Sequence, residues 1–442
     1  MRYFFKLVFW GLLGLGQAYA HPIDKLIDDK LPYANVSIMA KNMATGDVIY
    51  QKNADRRLMP ASGTKLFTAA ATLFQFDENH TFPTTLSQQG EVYYITFTGS
   101  PSLKKSELKT LLTHIKDKPK KIVLDTTRFE SPNYPDGIQY DDLGWYFAAP
   151  DTAIMLDENY ETYEFITGKK PGKKIKIKAK STEHQLKLIN QVVGASPEDA
   201  KHHCDLNVAL LPENTLKLYG CLAVRDTPKL MMLAIPDPLY LAKNIIHSSY
   251  KDVPIELGAT PKDAKPLYTI PSPSITELVQ HMLLVSDNLY ANALTKQLGF
   301  AVTGHGRYKE GVFAMQKILA KNTSVDFSQI KLKDGEGTRY NLVTTNQMIT
   351  LLSDFYQYKN LLPCMGVSGN LQDRMKGSVL EGKVHAKTGS MQDTSSLSGY
   401  IDGAQPVVFS ILINGINQPL HQVKNIEEEI VQALANSSAG VL

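Results

Sequence analysis

The stretch Leu58-Met-Pro-Ala-Ser-Gly-Thr-Lys-Leu-Phe-Thr-Ala-Ala-Ala-Thr-Leu-Phe-Gln-Phe76 runs from a proline into an almost unbroken apolar segment. Its strong helix formers and few polar residues predict a buried helix. Ser62 stands at the start of this helix, three positions before Lys65, and residues at that spacing lie on one helix face. A lysine that burial or neighbouring cations keep neutral can take the proton of a serine hydroxyl. The stretch therefore predicts a serine nucleophile at Ser62, with Lys65 as its general base.

The Ser-x-x-Lys spacing by itself does not select Ser62. It also occurs in four polar stretches that no apolar helix follows. These are Ser102/Lys105, Ser106/Lys109, Ser248/Lys251 and Ser328/Lys331. What distinguishes Ser62 is the apolar helix behind it, together with two further motifs later in the chain.

The first of these motifs is Ser286-Asp-Asn288, inside a segment, 277–298, whose apolar residues recur at helical spacing and which Gly299 is predicted to end. A second hydroxyl on such a rigid support can pass a proton between a base and a leaving group. The amide of Asn288 can hold a peptide carbonyl. The alternative is an ordinary polar loop between two helices.

The last motif is Lys387-Thr-Gly389, which occurs once, on an edge-like strand that follows Val384-His-Ala386. A strand edge can lie alongside the backbone of a peptide, while Lys387 and Thr388 hold its terminal carboxylate. Gly389 adds no side chain that would obstruct this contact. The alternative is a strand end with a turn glycine.

Strand patterns at both ends of the chain surround a helical middle. Residues 35–58 indicate a hairpin, the C-terminal part indicates three strands and a last helix at 423–435, and 89–264 contains many short strand-like runs. This arrangement predicts an α+β fold, with an antiparallel sheet flanked by helices and interrupted by one or two small β-rich inserted domains. Lys174–Lys180 alternates as a strand with one lysine face, interpreted as a solvated edge rather than a contact with an anionic polymer.

The first twenty residues have the pattern of a secretory signal peptide. Arg2 and Lys6 precede ten apolar residues, and Ala18-Tyr-Ala20 offers a cleavage site before His21. Ten residues would cross only about half of a bilayer core, so a membrane anchor is not expected. Without residues 1–20 the chain has 45 basic against 44 acidic residues, a balance that does not indicate a nucleic-acid-binding protein. A periplasmic location follows as an expectation.

Three cysteines would then meet an oxidising compartment. Cys204 and Cys221 flank a predicted hairpin symmetrically, with its turn at 212–214, so a disulfide is expected. The alternative is two unpaired, buried cysteines. His202 and His203 would point to opposite faces of a strand, so no metal site is predicted. Cys364 is expected to be a buried free thiol.

In this order, the three motifs are typical of penicillin-binding proteins and of class A β-lactamases. The chain resembles the class C low-molecular-mass penicillin-binding proteins, the D-alanyl-D-alanine carboxypeptidase/endopeptidase family, over nearly its whole mature length. The likeness rests on Pro60–Leu66, Val285–Ala291, His385–Ser390 and Gly366–Met375. It also rests on the 220 residues between Lys65 and Ser286, where the family has two inserted domains.

The resemblance implies a transpeptidase-like catalytic domain of residues 21–88 plus 265–442. It implies an inserted domain of 89–162 plus 226–264, and a second of 163–225. It also implies an enzyme without metal or cofactor that cleaves peptidoglycan stems and is acylated by β-lactams. The oligomeric state is not implied.

The resemblance also implies a role for each motif residue. Ser62 would be acylated with Lys65 as base, Ser286 would relay a proton, Asn288 would hold the substrate amide, and the backbone N–H groups of Ser62 and Ser390 would form the oxyanion hole. The carboxylate of the substrate would meet Lys387 and Thr388, next to Gly389. Its diaminopimelate side chain would meet four residues: Asp142, Phe147, Gln392 and Arg339.

Three positions depart from the family pattern. Asp334-Gly-Glu-Gly337 stands where the family has Asp-Gly-Ser-Gly, and it is one residue shorter before Arg339. Asn292 stands where a Glu is frequent, and Ser100 where an Asp is usual. A β-lactamase is a competing hypothesis, but the Glu-x-x-x-Asn that class A enzymes use for deacylation is missing after the second motif. A non-enzymatic cell-wall-binding module is a third hypothesis, although all three motifs are complete.

Overall fold

The protein is described by a computed structural model that covers residues 21–202 and 204–438. The predicted signal peptide lies outside the described residues. The strands, in chain order, are β1 Asn35–Asn42, β2 Val48–Lys52, β3 Thr84–Gln89, β4 Val92–Phe97, β5 Lys121–Asp125, β6 Tyr160–Ile166, β7 Lys176–Ala179, β8 Lys187–Ala195, β9 Leu206–Leu211, β10 Thr215–Ala223, β11 Lys229–Ala234, β12 Ile255–Leu257, β13 Lys265–Ile270, β14 Val384–Met391, β15 Thr394–Ile401 and β16 Val407–Asn414. The helices are α1 Pro22–Lys30, α2 Lys65–Gln75, α3 Lys105–Leu112, α4 Asp199–His202, α5 Pro238–Ser249, α6 Ile275–Val285, α7 Asn288–Thr303, α8 Tyr308–Asn322, α9 Thr345–Phe355 and α10 Leu420–Ser438.

The two ends of the chain form one five-stranded antiparallel sheet, in the order β14-β15-β16-β1-β2. Side chains on a strand alternate between its faces, and β16 shows this directly. Phe409 and Ile411 pack in the core that α1 and α10 cover, whereas Val408 and Leu412 pack in the core of the helices on the other face, which includes α2, α6 and α9. The predicted α+β class, with a sheet flanked by helices, is confirmed.

The middle of the chain adds three further sheets. Their strand orders are β12-β5-β4-β3-β13, β11-β6-β7 and β8-β10-β9. The first mixes parallel and antiparallel pairs, because β5 runs parallel to both β4 and β12. Strands β3 and β13 pair with each other, so residues on both sides of the predicted 89–264 insertion lie in the same sheet as β4, β5 and β12. The domain boundaries themselves stay a prediction.

The predicted helix at 277–298 is interrupted at the second motif. Helix α6 ends at Val285, Ser286 adopts a left-handed conformation with φ of 61°, and α7 begins at Asn288 after the Asp287 cap. Gly299 does not end the helix as predicted. It lies inside α7, where a Cβ would come within 2.7 Å of the backbone N of Gly311 on α8, so α7 and α8 pack closely at this point.

Cys204 and Cys221 form a disulfide, with their Cα atoms 5.3 Å apart. Strands β9 and β10 form the hairpin predicted around residues 212–214. His202 ends the short helix α4 rather than lying on a strand, and Cys364 is a buried free thiol. Among the described residues, no helix is long and apolar enough to cross a bilayer.

Candidate active site

Ser62 lies in a tight 3-10 turn, Ala61–Thr64, and Lys65 is the first residue of α2. In such a turn, side chains three positions apart eclipse each other, so the predicted contact forms without Ser62 itself being α-helical. The Lys65 Nζ donates to Ser62 Oγ at 2.9 Å and to the Glu336 carbonyl at 2.8 Å. Burial lowers the pKa of Lys65 to about 8, against the opposing charge of Glu336. A neutral amine is therefore accessible beside the hydroxyl.

Asn288 connects Lys65 to the inserted segment. Its Oδ1 accepts a 2.7 Å hydrogen bond from Lys65 Nζ, and its Nδ2 donates to the Phe147 carbonyl at 2.8 Å. A side-chain amide has two N–H groups. The Phe147 carbonyl uses one of them, and the contact of the other with a substrate carbonyl stays a prediction.

Lys387 connects the edge strand β14 to the second motif. Its Nζ donates to Ser286 Oγ at 2.8 Å and to the Thr388 carbonyl at 2.7 Å. The side chain is fully buried. Burial, reinforced by the nearby Lys65, holds the pKa of Lys387 well below its ordinary value. The Thr388 hydroxyl accepts a 2.7 Å hydrogen bond from Asn370 Nδ2.

Two glycines bring the Ser62 turn into place. A Cβ on Gly389 would lie 2.3 Å from the Pro60 carbonyl oxygen. Gly337 has φ of 105°, and a Cβ there would lie 1.9 Å from the Ala61 carbonyl oxygen. Strand β14 and the 334–337 turn therefore pack directly against the turn that carries Ser62, and neither Gly389 nor Gly337 has room for a side chain.

A cavity of about 310 Å³ opens at Ser62. Burial raises the pKa of Asp142, while the Arg339 cation near it acts in the opposite direction. Arg339 therefore lies close to Asp142, although the chain is one residue short before it. The predicted site residues that line the cavity are Ser62, Asp142, Phe147, Asn288, Arg339, Ser390 and Gln392.

On the far side of Phe147 lies a second cavity, of about 370 Å³, which Ser286, Asp287 and Asn288 line. Phe147 borders both cavities and is 39% exposed. Asn288 therefore lines both cavities, whereas Ser286 and Asp287 line only the second.

Glu336 was not among the predicted site residues, yet it lines the first cavity with Ser62. Its carboxyl accepts a 2.8 Å hydrogen bond from Asn292 Nδ2. Burial, then the Asp334 carboxylate, raise the pKa of Glu336 to about 8. The sequence did contain a signal for Glu336, which is a large acidic residue between the two glycines of Asp334-Gly-Glu-Gly337.

Three comparisons with known proteins agree. Residues 20–437 match the D-Ala-D-Ala carboxypeptidase 3 (S13) family. The chain is 28% identical to the D-alanyl-D-alanine carboxypeptidase DacB of Haemophilus influenzae, covering 92% of this chain and 91% of that one. It is 28% identical to the D-alanyl-D-alanine carboxypeptidase of an Actinomadura species, covering 90% and 81%.

A solved structure supports the same assignment. The crystal structure of penicillin binding protein 4 (dacB) from Haemophilus influenzae matches with a TM-score of 0.81 at 27% identity, over 90% of this chain and 94% of that one. The same protein complexed with a novel β-lactam matches with a TM-score of 0.76. The family predicted from the three motifs is confirmed, and this chain belongs to the D-Ala-D-Ala carboxypeptidase 3 (S13) family.

Proposed function

We propose that this chain is a serine D-Ala-D-Ala carboxypeptidase, and a DD-endopeptidase where its cleft admits a cross-linked stem, with Ser62 as the acylated nucleophile. The observation that carries the proposal is the contact between Ser62 Oγ and Lys65 Nζ, 2.9 Å apart, with the lysine fully buried. A buried amine loses its proton more readily than a solvated one and can then act as a general base.

Acylation begins when Ser62 Oγ attacks the carbonyl carbon of the penultimate D-Ala and passes its proton to Lys65 Nζ. The backbone N–H groups of Ser62 and Ser390 donate to the oxyanion that forms. The C–N bond then breaks, and the leaving amine takes a proton that Ser286 relays. Water hydrolyses the ester in the second half of the reaction, which returns the proton to Ser62 Oγ and releases the shortened stem.

Substrate binding uses strand β14 and the cavity at Ser62. Lys387 and Thr388 hold the terminal carboxylate, with Gly389 next to them on the edge of the sheet, and the free N–H of Asn288 donates to the peptide carbonyl. On the inserted side, Asp142 accepts from an ammonium group and Phe147 packs on the stem that carries it. Gln392 and Arg339 complete this wall, which suits a diaminopimelate side chain.

The cellular setting follows from the N-terminus and the substrate. We infer that residues 1–20 are a cleaved signal peptide and that the mature protein acts on peptidoglycan in the periplasm, where β-lactams acylate Ser62. Residues 21–88 with 265–442 form the catalytic domain in this proposal. Residues 89–162 with 226–264 form one inserted domain, and 163–225 the other.

The experiment is intact-mass measurement after incubation with a labelled penicillin. The unchanged protein should gain one label, and Ser62→Ala should gain none. Ser328→Ala is the matched control, because Ser328 has the same spacing to a lysine but lies exposed on the surface. A Ser62→Ala protein that still carried the label covalently would overturn the assignment.

A further inference from the structure

The 334–337 turn is held by one fully bonded carboxylate. Asp334 Oδ1 accepts from the backbone N–H groups of Glu336 at 3.1 Å and Gly337 at 2.7 Å. Its Oδ2 accepts from Asn341 Nδ2 at 2.9 Å and from the Thr338 hydroxyl. These hydrogen bonds fix the shape of the turn, and the position of Glu336 is fixed with it.

The Glu336 side chain is less well supported. It is 5% exposed, and among the described residues its carboxyl has one hydrogen bond, from Asn292 Nδ2 at 2.8 Å. The Oδ1 of Asn292 is buried without a hydrogen-bond partner in this part of the chain. A single neutral donor compensates a buried carboxylate poorly. This carboxyl therefore needs either a proton or a cation.

The available cation is Lys65. Its Nζ donates to the backbone carbonyl of Glu336 at 2.8 Å, so the Lys65 ammonium and the Glu336 side-chain carboxyl belong to one buried cluster. The pair is electrically neutral in two forms, either ammonium with carboxylate or amine with carboxylic acid. Burial lowers the pKa of Lys65 and raises that of Glu336, which favours the second form, whereas the attraction between the two charges favours the first.

Other charged and titratable groups also face this pair. The charges of Asp287 and Asp334 raise the pKa of Lys65, and those of Asp151 and Asp334 raise the pKa of Glu336. The charge of Lys65 in turn lowers the pKa of Lys387. The Tyr308 hydroxyl donates a hydrogen bond to Asp151, and the charge of Glu336 helps to raise the pKa of Tyr308. Asp151 has Lys296 as an ion-pair partner, and Asp334 is held by the turn. Glu336 is thus the buried acid of this cluster whose charge Lys65 is best placed to balance.

We propose that Glu336 is a positioning residue for Lys65, whose carboxylate stabilises the Lys65 ammonium across this buried cluster and so sets the pH range in which Lys65 can accept the proton of Ser62. The proposal rests on the role of Lys65 as general base. With Glu336 ionised, Lys65 keeps its proton to higher pH. The same carboxylate stabilises the ammonium that forms when Ser62 attacks.

The test is the rate of acylation by a labelled penicillin, measured from pH 5 to 10 in the full-length protein and in Glu336→Gln. The substitution keeps the shape of the side chain and an acceptor for Asn292, but removes the charge. The acidic limb of the rate profile should move to lower pH by roughly one to three units, the range that a close opposite charge produces. The maximal rate should fall, because the ammonium loses its counter-charge.

The matched control is the double variant Asn292→Asp/Glu336→Gln. It places the carboxyl on the other end of the same hydrogen bond with no change of side-chain size, and it should move the acidic limb back toward higher pH. A purely structural defect would lower the rate at every pH without moving the limb.

An unshifted acidic limb in folded Glu336→Gln would overturn the proposal. The role of Ser62 is tested separately in the same samples. If Glu336→Gln is labelled at Ser62 with the pH profile of the wild-type protein, only the inference on Glu336 is overturned. If Ser62→Ala is labelled, the proposed function is overturned.

Discussion

The Nζ of Lys387 and the Oγ of Ser286 lie 2.8 Å apart, and this hydrogen bond joins the edge strand β14 to the break between α6 and α7. The left-handed backbone of Ser286 directs the chain out of α6 at this point. Lys387 is buried and has no carboxylate within hydrogen-bond distance among the described residues; its Nζ contacts are Ser286 and the Thr388 carbonyl. The motif lysine therefore has no counter-charge of its own among the described residues, and in the proposed function the substrate carboxylate supplies one.

Lys387→Ala should lower the rate of acylation by roughly 100-fold, because it removes both the carboxylate contact and the partner of Ser286. Lys383→Ala is the matched control: it lies four residues before Lys387, is exposed, and should leave the rate unchanged. The measurement is the second-order rate of labelling by a fluorescent penicillin, with thermal unfolding as a check of folding. An unaffected rate in Lys387→Ala would remove this lysine from the site.

The pH dependence of acylation should follow the protonation state of Lys65, the proposed base. Burial lowers the pKa of Lys65 to about 8, so the neutral, reactive amine accumulates as the pH rises through that value and the rate rises with it. Lys65→Arg should abolish the rise as well as the rate, because a guanidinium stays protonated. Stopped-flow acylation between pH 5 and 10 measures both. A rate that falls between pH 6 and 9 would contradict a lysine base.

Gly389→Ala tests how tightly the nucleophile turn is held. The new Cβ would lie 2.3 Å from both the Pro60 carbonyl oxygen and the Ser396 hydroxyl, so the turn that carries Ser62 must shift. Labelling should fall by at least about tenfold, since misplacing a reacting group by about 1 Å is costly. Gly403→Ala is the control, because a Cβ there meets nothing within 4 Å. Equal labelling of the two variants would show that the turn tolerates the shift.

The sequence predicted the sheet better than the helices next to the site. Strands β1, β14, β15 and β16 alternate or run apolar, and short-range patterns are sufficient to find them. The helical spacing at 277–298 does not show the break at Ser286, because α6 and α7 share one apolar periodicity; the alternative of a polar loop between two helices is what the structure has. The prediction of a continuous helix at 277–298 was therefore wrong in its middle.

Glu336 was missed for a different reason. Its side chain contacts Asn292, 44 positions earlier in the chain, and its backbone carbonyl contacts Lys65, 271 positions earlier. Both Glu336 and Asn292 were noticed as departures from the family pattern, but only the fold shows that they contact each other. Which of two distant polar residues meet in a core is decided by packing, and a single sequence does not contain that information.

The disulfide should stabilise the hairpin of β9 and β10 locally. Cys204 and Cys221 close a loop with a sequence separation of 17, for which chain entropy predicts about 3 kcal/mol. Reduction should therefore lower the stability of this hairpin, measured by limited proteolysis, while labelling of Ser62 persists. The variant Cys204→Ser/Cys221→Ser should behave like the reduced protein and should not respond to reductant. Equal proteolysis with and without reductant would contradict a stabilising role.

Asp142 should affect substrate choice rather than acylation itself. It lines the cavity together with Arg339, whereas Lys387 is not among the lining residues, so a compact penicillin need not reach Asp142. Asp142→Asn should lower kcat/KM for a D-Ala-D-Ala peptide with a free side-chain ammonium by about tenfold or more, the effect of losing a hydrogen bond to a charged group. It should change the rate much less for an acetylated peptide or a penicillin. Asp141→Asn is the control, because Asp141 is exposed and does not line the cavity. Equal losses on the free and acetylated peptides would mean that Asp142 does not bind the ammonium, and that the inserted wall acts on the substrate by shape alone.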